Sequence, residues 1–222
     1  MSVITIEKRI LEKNDEIAAQ NRRLLQTNHT FTVNLLSSPG AGKTTLLEKT
    51  LLHLDPLHVA VIEGDVQTDR DAQRISAIGF QAVQIITQGG CHLDAALVRD
   101  ALNSLLLPEC RLLFIENVGN LVCPAAFDLG EDCKVVIAST TEGEDKPIKY
   151  PRVFREASLC LLNKIDLVSV LDFDRRAFYS HIQSVHADLK VIEISAKTGE
   201  GMNDWLSWIQ QTAMQTNKTQ PC

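Results

Sequence analysis

The run Ser37-Ser38-Pro39-Gly40-Ala41-Gly42-Lys43-Thr44-Thr45-Leu46-Leu47 constrains this chain more than any other part of its 222 residues. It follows an apolar run at 31–36 and leads into a helical pattern over about 43–54, so it reads as strand, glycine loop and helix. Gly40 and Gly42 let backbone N–H groups turn inward, and the helix start adds unpaired amides and the positive end of its dipole, which together cradle phosphates. Lys43 is expected at the β- and γ-phosphates and the Thr44 hydroxyl on Mg²⁺, with Ser38, Ala41 and Thr45 completing the cradle. Ser37 stands where the usual G-x-x-x-x-G-K-[ST] pattern has its first glycine.

A loop of this kind needs a buried strand before it, and the rest of the chain supplies the sheet. Apolar runs at 58–62, 82–86, 112–115, 134–138, 158–162 and 191–194 alternate with helical patterns near 68–78, 93–106, 172–187 and 202–214. Nearly continuous Val/Ile/Leu runs are buried on both faces, and alternation with helices implies right-handed crossovers. The expected fold is α/β, a mostly parallel seven-stranded sheet with helices on both faces. Its ligands belong at the carboxyl ends of the strands. Ahead of the sheet, Ile10, Ile17 and Leu24 recur every seven positions, as do Leu11, Ala18 and Leu25. That stripe predicts an amphipathic helix over 4–26 that packs on the body of the protein or docks a partner. The expected organisation is an N-terminal helical segment (1–30), one nucleotide-binding G domain (31–215) and a polar tail (216–222).

Hydrophobic residues make up 45% of the chain, enough for a core. Lys plus Arg number 22 against 28 Asp plus Glu, a formal net charge of -6 without a basic run, which argues against nucleic acid or an anionic membrane as partner. No apolar stretch approaches the length of a membrane span, and residues 1–16 lack the pattern of a secretory signal. A cytoplasmic, reducing setting is expected, so the six cysteines are read singly rather than as disulfides.

The base is read by Asn163-Lys164-Ile165-Asp166, which follows the run at 158–162. A carboxylate such as Asp166 accepts from guanine N1–H and the 2-amino group together, and adenine offers neither donor. The Lys164 stem is expected over the base, Asn163 is expected to tie this loop to the phosphate loop, and Ser195-Ala196-Lys197 is placed to close over the base edge. Glu116-Asn117-Val118-Gly119 supplies a strand-end carboxylate with a glycine three residues later. Glu116 is expected near Mg²⁺ and Gly119 at the γ-phosphate. In the acidic cluster Glu63-Gly64-Asp65, Asp69 and Asp71, either Asp65 or Asp71 completes the Mg²⁺ shell or orients the attacking water, unless Asp69 and Asp71 only open a helix. Lys43, Asp71 and Glu116 are the catalytic candidates. No glutamine near Gly119 and no evident arginine finger predicts slow hydrolysis.

Cys91 and His92, in Gly89-Gly90-Cys91-His92, offer a thiolate and an imidazole, and Cys123-Pro124 lies seven residues beyond Glu116. Such donors suit Ni²⁺ or Zn²⁺. Three ligands leave the shell to be completed by water or a second subunit. Cys133 and Cys160 read as core residues, Cys110 is ambiguous and Cys222 is a terminal thiol.

The segments S-S-P-G-A-G-K-T-T, G-G-C-H-L-D-A, E-N-V-G-N-L-V-C-P and N-K-I-D, in this order and spacing, resemble the HypB family of GTPases that mature [NiFe] hydrogenases. The resemblance covers about residues 4–210, and 90–95 with 116–124 distinguish it from other GTPases. It implies a SIMIBI-class G domain, a GTP-favoured homodimer, slow turnover of GTP to GDP, and nickel delivery to the hydrogenase large-subunit precursor with a HypA-type chaperone. It also implies that Cys91, His92 and Cys123 bind Ni²⁺ or Zn²⁺ at the dimer interface, with Asp71 and Glu116 as switch carboxylates. The first 90 residues hold no cysteine and only His29, His53 and His58, so N-terminal nickel capture or storage is not expected. Three other readings are a urease-type accessory GTPase, a metal-storage protein with a vestigial nucleotide pocket, and a signalling or translation GTPase with structural cysteines. The urease-type family carries Cys-Pro-His, whereas Ala125 follows Cys123-Pro124 here.

Overall fold

The computed structural model describes residues 6–67 and 70–219. Its strands are β1 (Phe31–Ser37), β2 (Val59–Asp65), β3 (Gln81–Ile86), β4 (Leu112–Glu116), β5 (Cys133–Ser139), β6 (Leu159–Asn163) and β7 (Val191–Glu193). They form one sheet in the order β3-β2-β4-β1-β5-β6-β7, and every neighbouring pair is parallel. The apolar runs predict all seven strands. All seven residues of β1 are buried, as a strand covered on both faces requires.

Period-two alternation decides which helix layer each side chain meets. Val33, Leu35, Phe114, Val135, Ile137 and Leu161 face α2 (Lys43–Leu51) and α8 (Met202–Thr219). Trp205 of α8 is buried there, and its indole N–H donates to Thr50 Oγ1 at 2.9 Å, so the polar edge of the ring is satisfied inside the core. On the opposite face, Leu36, Val136, Cys160 and Leu162 meet α6 (Pro151–Glu156) and α7 (Arg175–Val185). Ala60, Ile62, Leu113 and Ile115 pack with α1 (Ile6–Thr27) and α4 (Ala95–Leu102). Two further helices, α3 (Arg70–Ala77) and the short α5 (Lys146–Lys149), complete the set among the described residues.

Helix α1 lies on the protein's own body, one of the two readings of its stripe, but along a shifted seam. Asn14, Ala18, Asn21 and Leu25 are the buried positions, while Ile10 is 53% exposed. Buried backbone polar groups must be paired, and α1 supplies the partners. Asn14 accepts from Ala95 N–H at 2.8 Å and donates to Asp128 O at 2.8 Å. Asn21 donates to Ala95 O and Leu129 O at 2.8 and 3.0 Å and accepts from Arg99 Nε at 2.6 Å.

Cys133 and Cys160 are core residues as expected, and Cys110 joins them, its thiol pushed up to about 11 by burial. Asp69 and Cys222 lie outside the described residues. No helix among the described residues is long and apolar enough to cross a membrane.

Candidate functional site

The central strand β1 has β4 on one side and β5 on the other, so the strand order reverses there and a crevice opens above its carboxyl end. The glycine loop fills that position. Gly42 adopts φ +96°, a left-handed conformation, and a Cβ on it would stand 2.6 Å from Asn163 Nδ2. Only glycine admits both the turn and the approach. Lys43 is buried, and its Nζ donates to Ser37 Oγ at 3.0 Å. The serine that replaces the motif's first glycine thus aims the lysine along the loop. A second lysine, Lys146 from α5, donates to Ser38 Oγ at 3.4 Å. Sequence reading misses it, because 108 residues separate the two and nothing local marks the pair.

The carboxylates gather beside Thr44. Its hydroxyl donates to Glu116 Oε1 at 2.7 Å, and Asp71 Oδ2 lies 3.5 Å from the same hydroxyl. Arg74 holds Asp71 at 3.2 Å and Glu48 at 2.6 Å. Asp65, Asp71 and Glu116 line one cavity of about 270 Å³ with Gly40, Lys43 and Gly119. Asp65 sits in its wall, accepting from Gln67 N–H at 2.8 Å. A Cβ on Gly119 would lie 3.1 Å from Pro39, so the segment after β4 rests directly on the phosphate loop.

Glu63, named in the acidic cluster but given no role there, stands opposite Glu116 in the β2–β4 register and is 2% exposed. Burial first, then repulsion from Glu116 and Asp71, pushes its carboxyl up to about 10. Burial also raises Glu116, against the opposing pull of Lys43. Glu63 Oε1 and Glu116 Oε2 are buried with no hydrogen-bond partner among the described residues. Unpaired buried carboxylate oxygens beside a threonine hydroxyl make a hard-oxygen donor set, which fits Mg²⁺.

At the far side of the loop, Asn163 Nδ2 donates to Ala41 O at 2.9 Å, while its Oδ1 accepts from the backbone N–H groups of Lys164 and Ala196 at 2.8 and 3.1 Å. One side chain thereby joins the loops after β1, β6 and β7. Lys164 is left-handed at φ +63°, a conformation that sends its Nζ to Gly40 O at 2.7 Å. Ser195 Oγ donates to Asp166 Oδ1 at 2.6 Å and fixes that carboxylate. Lys197 and Thr45 are exposed at the rim.

Left-handed Gln88 and Gly89 turn the chain after β3, bringing Cys91 and His92 toward Cys123, which caps the short turn Pro124–Ala126. One donor atom from each of the three residues lies within 4.8 Å of the others, the only such cluster among the described residues. Cys91 Sγ is 3.5 Å from His92 Nδ1. The His92 ring stacks on Phe127 at 3.9 Å, and burial lowers its pKa, which keeps the imidazole neutral and able to ligate. The Cys91 thiol is raised first by its hydrogen bond with Cys123 and then by burial. Two sulfurs and a ring nitrogen fit a borderline-soft divalent ion.

The family described as "CobW/HypB/UreG, nucleotide-binding domain" matches residues 31–193. The hydrogenase maturation factor HypB of Azotobacter chroococcum is 57% identical over 212 residues, 94% of this chain and 69% of that protein. A crystal structure of HypB from Helicobacter pylori in complex with nickel superposes with a TM-score of 0.88 at 33% identity, covering 95% of this chain and 99% of that one. The signal recognition particle 54 kDa protein of Aeropyrum pernix with GDP, 13% identical with a TM-score of 0.56, shares the fold alone, over 85% of this chain and 49% of that one. The chain therefore belongs to the HypB family of hydrogenase maturation factors, built on the parallel nucleotide-binding fold that its sheet order displays.

Proposed function

We propose that this chain is a slow GTPase that uses its nucleotide state to hold and release nickel for [NiFe] hydrogenase maturation. One observation carries the reading: the short segment from Glu116 to Cys123 touches the phosphate loop through Gly119 and ends in one of the three clustered donors. In the proposed reaction, water attacks the γ-phosphorus and the bond to the β-phosphate oxygen breaks, leaving GDP and phosphate. Lys43, Gly40, Ala41, Gly42, Ser38 and Thr45 bind the phosphates, and the Lys43 ammonium stabilises charge on the transferred group. Thr44, Glu116 and Asp71, with Asp65 beside them, would hold Mg²⁺, which when bound neutralises charge on the β- and γ-oxygens. Asp71, fixed by Arg74, orients the water. Asn163, Lys164, Asp166, Ser195, Ala196 and Lys197 bind guanine.

Cys91, His92 and Cys123 hold Ni²⁺ as cargo, with Zn²⁺ as the competing ion, and the shell is completed by water or a second copy. GTP favours a homodimer, and a HypA-type chaperone and the hydrogenase large-subunit precursor stand on either side of the transfer. Ala125 after Cys123-Pro124 disfavours the urease-type reading, and the tied loops around Gly42 and Asn163 disfavour a vestigial pocket.

The test is Ni²⁺ affinity with GDP and with a non-hydrolysable GTP analogue. Different affinities support the coupling and equal ones overturn it, by the reciprocity of linked binding. GTP turnover abolished by Lys43→Ala supports the enzymatic half, and turnover unaffected by that change refutes it.

A further inference from the structure

Two backbone amides belonging to different sites converge on one side-chain oxygen. Asn117 follows Glu116 and is 1% exposed. Its Oδ1 accepts from the N–H of Leu93, the residue after His92, at 3.2 Å, and from the N–H of Val118, the residue before Gly119, at 3.0 Å. Its Nδ2 donates to Asn34 Oδ1 at 3.4 Å, and Asn34 Nδ2 donates to Glu131 Oε1 at 3.1 Å. Glu131 Oε2 accepts from Leu129 N–H at 2.7 Å, so the chain of bonds ends on buried, anchored backbone. The Asn117 N–H itself donates to Leu35 O in β1 at 3.1 Å.

Leu93 is gripped a second time. Its side chain occupies the space a Cβ on Gly64 would need, with Cδ1 at 2.8 Å from that position. Gly64 lies between Glu63 and Asp65, so the residue next to His92 is wedged between the carboxylate-bearing ends of β2 and β4. The cysteine-histidine loop has no comparable freedom to move apart from those ends.

We propose that Asn117 is the positioning residue that transmits nucleotide state to the metal cluster, holding Cys91 and His92 in register with Cys123 through Leu93 and Val118. This rests on the nucleotide–nickel coupling proposed above. A displacement of Gly119 toward or away from a terminal phosphate moves Val118 and the Asn117 oxygen. Leu93 must follow or lose a hydrogen bond buried from solvent. Both halves of the cluster then receive the same displacement, and nickel senses a changed shell instead of one drifting thiol. Without the Asn117 oxygen, Cys123 moves alone and the two halves no longer answer together.

The experiment is Ni²⁺ titration of the full chain with GDP and with a non-hydrolysable GTP analogue, read as the ratio of the two affinities. The wild-type ratio is expected to differ from unity by about fivefold or more, and Asn117→Ala to bring it within about twofold of unity. Asn117→Asp keeps the accepting oxygen but loses the Nδ2 donor to Asn34, and is expected to give a ratio between those of the wild type and Asn117→Ala. A merely structural asparagine predicts something else: Asn117→Ala lowers thermal stability and both affinities alike and leaves the ratio intact, which overturns the proposal. Should Asn117→Ala fail to fold, Asn34→Ala keeps both bonds to Oδ1 but removes their anchor; a reduced ratio supports the proposal and an unchanged one overturns it. A wild-type ratio of one sinks the coupling itself and the role of Asn117 with it, and that result is visible without any variant.

Discussion

Glu63 and Glu116 face each other at the ends of β2 and β4, each with an oxygen buried from solvent. Two carboxylates in that position cannot both ionise cheaply. Glu63 is the one held protonated, its pKa raised from 4.5 to about 10 by burial and by the neighbouring negative charges. The sign of the consequence follows from linkage. A carboxyl whose folded pKa lies above its unfolded value binds more protons in the native state, so its contribution is fully present below about pH 4.5 and is lost as pH climbs toward about 10. Without nucleotide or Mg²⁺, Glu63→Gln, which is neutral at every pH and nearly isosteric, removes that loss. The variant is expected to gain on the wild type by roughly 1 kcal/mol or more between pH 5 and pH 8, about 2–4 °C in thermal midpoint for a chain of this size. Parallel melting curves across the pH range check it, and a wild type that keeps pace with Glu63→Gln at pH 8 excludes the protonated pair. Nothing in the sequence marks this role, because an acid at a strand end reads as solvent-facing; the parallel pairing of β2 with β4 is what buries it.

Elements differ in how clearly the chain announces them, and the reason is burial. A strand covered on both faces must be apolar throughout, so the runs of β1, β2, β4, β5 and β6 are legible, as is the glycine loop, whose residue types are dictated by its backbone; the half-buried edge strands β3 and β7 keep enough apolar residues to show. Helices α5 and α6 are four and six residues long, too short for a 3.6-residue period to show, and each has a proline in its first turn, Pro147 and Pro151, that reads as a loop signal. The seam of α1 is obscured differently: two of its four most buried positions are asparagines, which an apolar count skips. Those asparagines carry the docking of the helix. Asn21→Ala leaves the carbonyls of Ala95 and Leu129 and the Arg99 Nε–H without the partner they now have. The expected loss is about 1–3 kcal/mol, several degrees of thermal midpoint, whereas Gln20→Ala on the exposed face of the same helix costs within about 0.5 kcal/mol. Equal midpoints for the two variants refute docking through Asn21. The site was legible where one local motif carries it, as in Asn163–Asp166, and illegible where distant residues meet, as in Lys146 on Ser38 or Leu93 on Asn117.

At the scale of the whole molecule, the glycine loop, the Asn163–Asp166 and Ser195–Lys197 loops and the Cys91-His92-Cys123 cluster all sit along one edge of the sheet, and beside the cluster that edge opens into an apolar groove of about 650 Å³. Ile10 from α1, Leu121, Val122 and Phe127 line it together with Cys123 and His92. Val122 is 61% exposed and Ile10 53%, a concentration of apolar surface next to the three clustered donors. Of the two ways proposed above to complete the shell, a second copy would cover this groove in the GTP state and add its own donors to the ion. Val122→Asp sets a charge in the middle of that contact while leaving the nucleotide loops alone. Burying an unpaired carboxylate costs several kcal/mol, so the dimer formed with a non-hydrolysable GTP analogue and Ni²⁺ is expected to weaken by about 100-fold or more. Analytical ultracentrifugation gives the dimer constant, and fluorescence titration with labelled nucleotide, at concentrations where both proteins are monomeric, gives the GTP affinity, which should stay within about threefold of wild type because the variant lies outside the pocket. A dimer of undiminished strength means that the copies meet elsewhere and that the shell is closed by water. A loss of nucleotide binding in step with the dimer means instead that the groove and the phosphate loop form one cooperative unit already in the monomer.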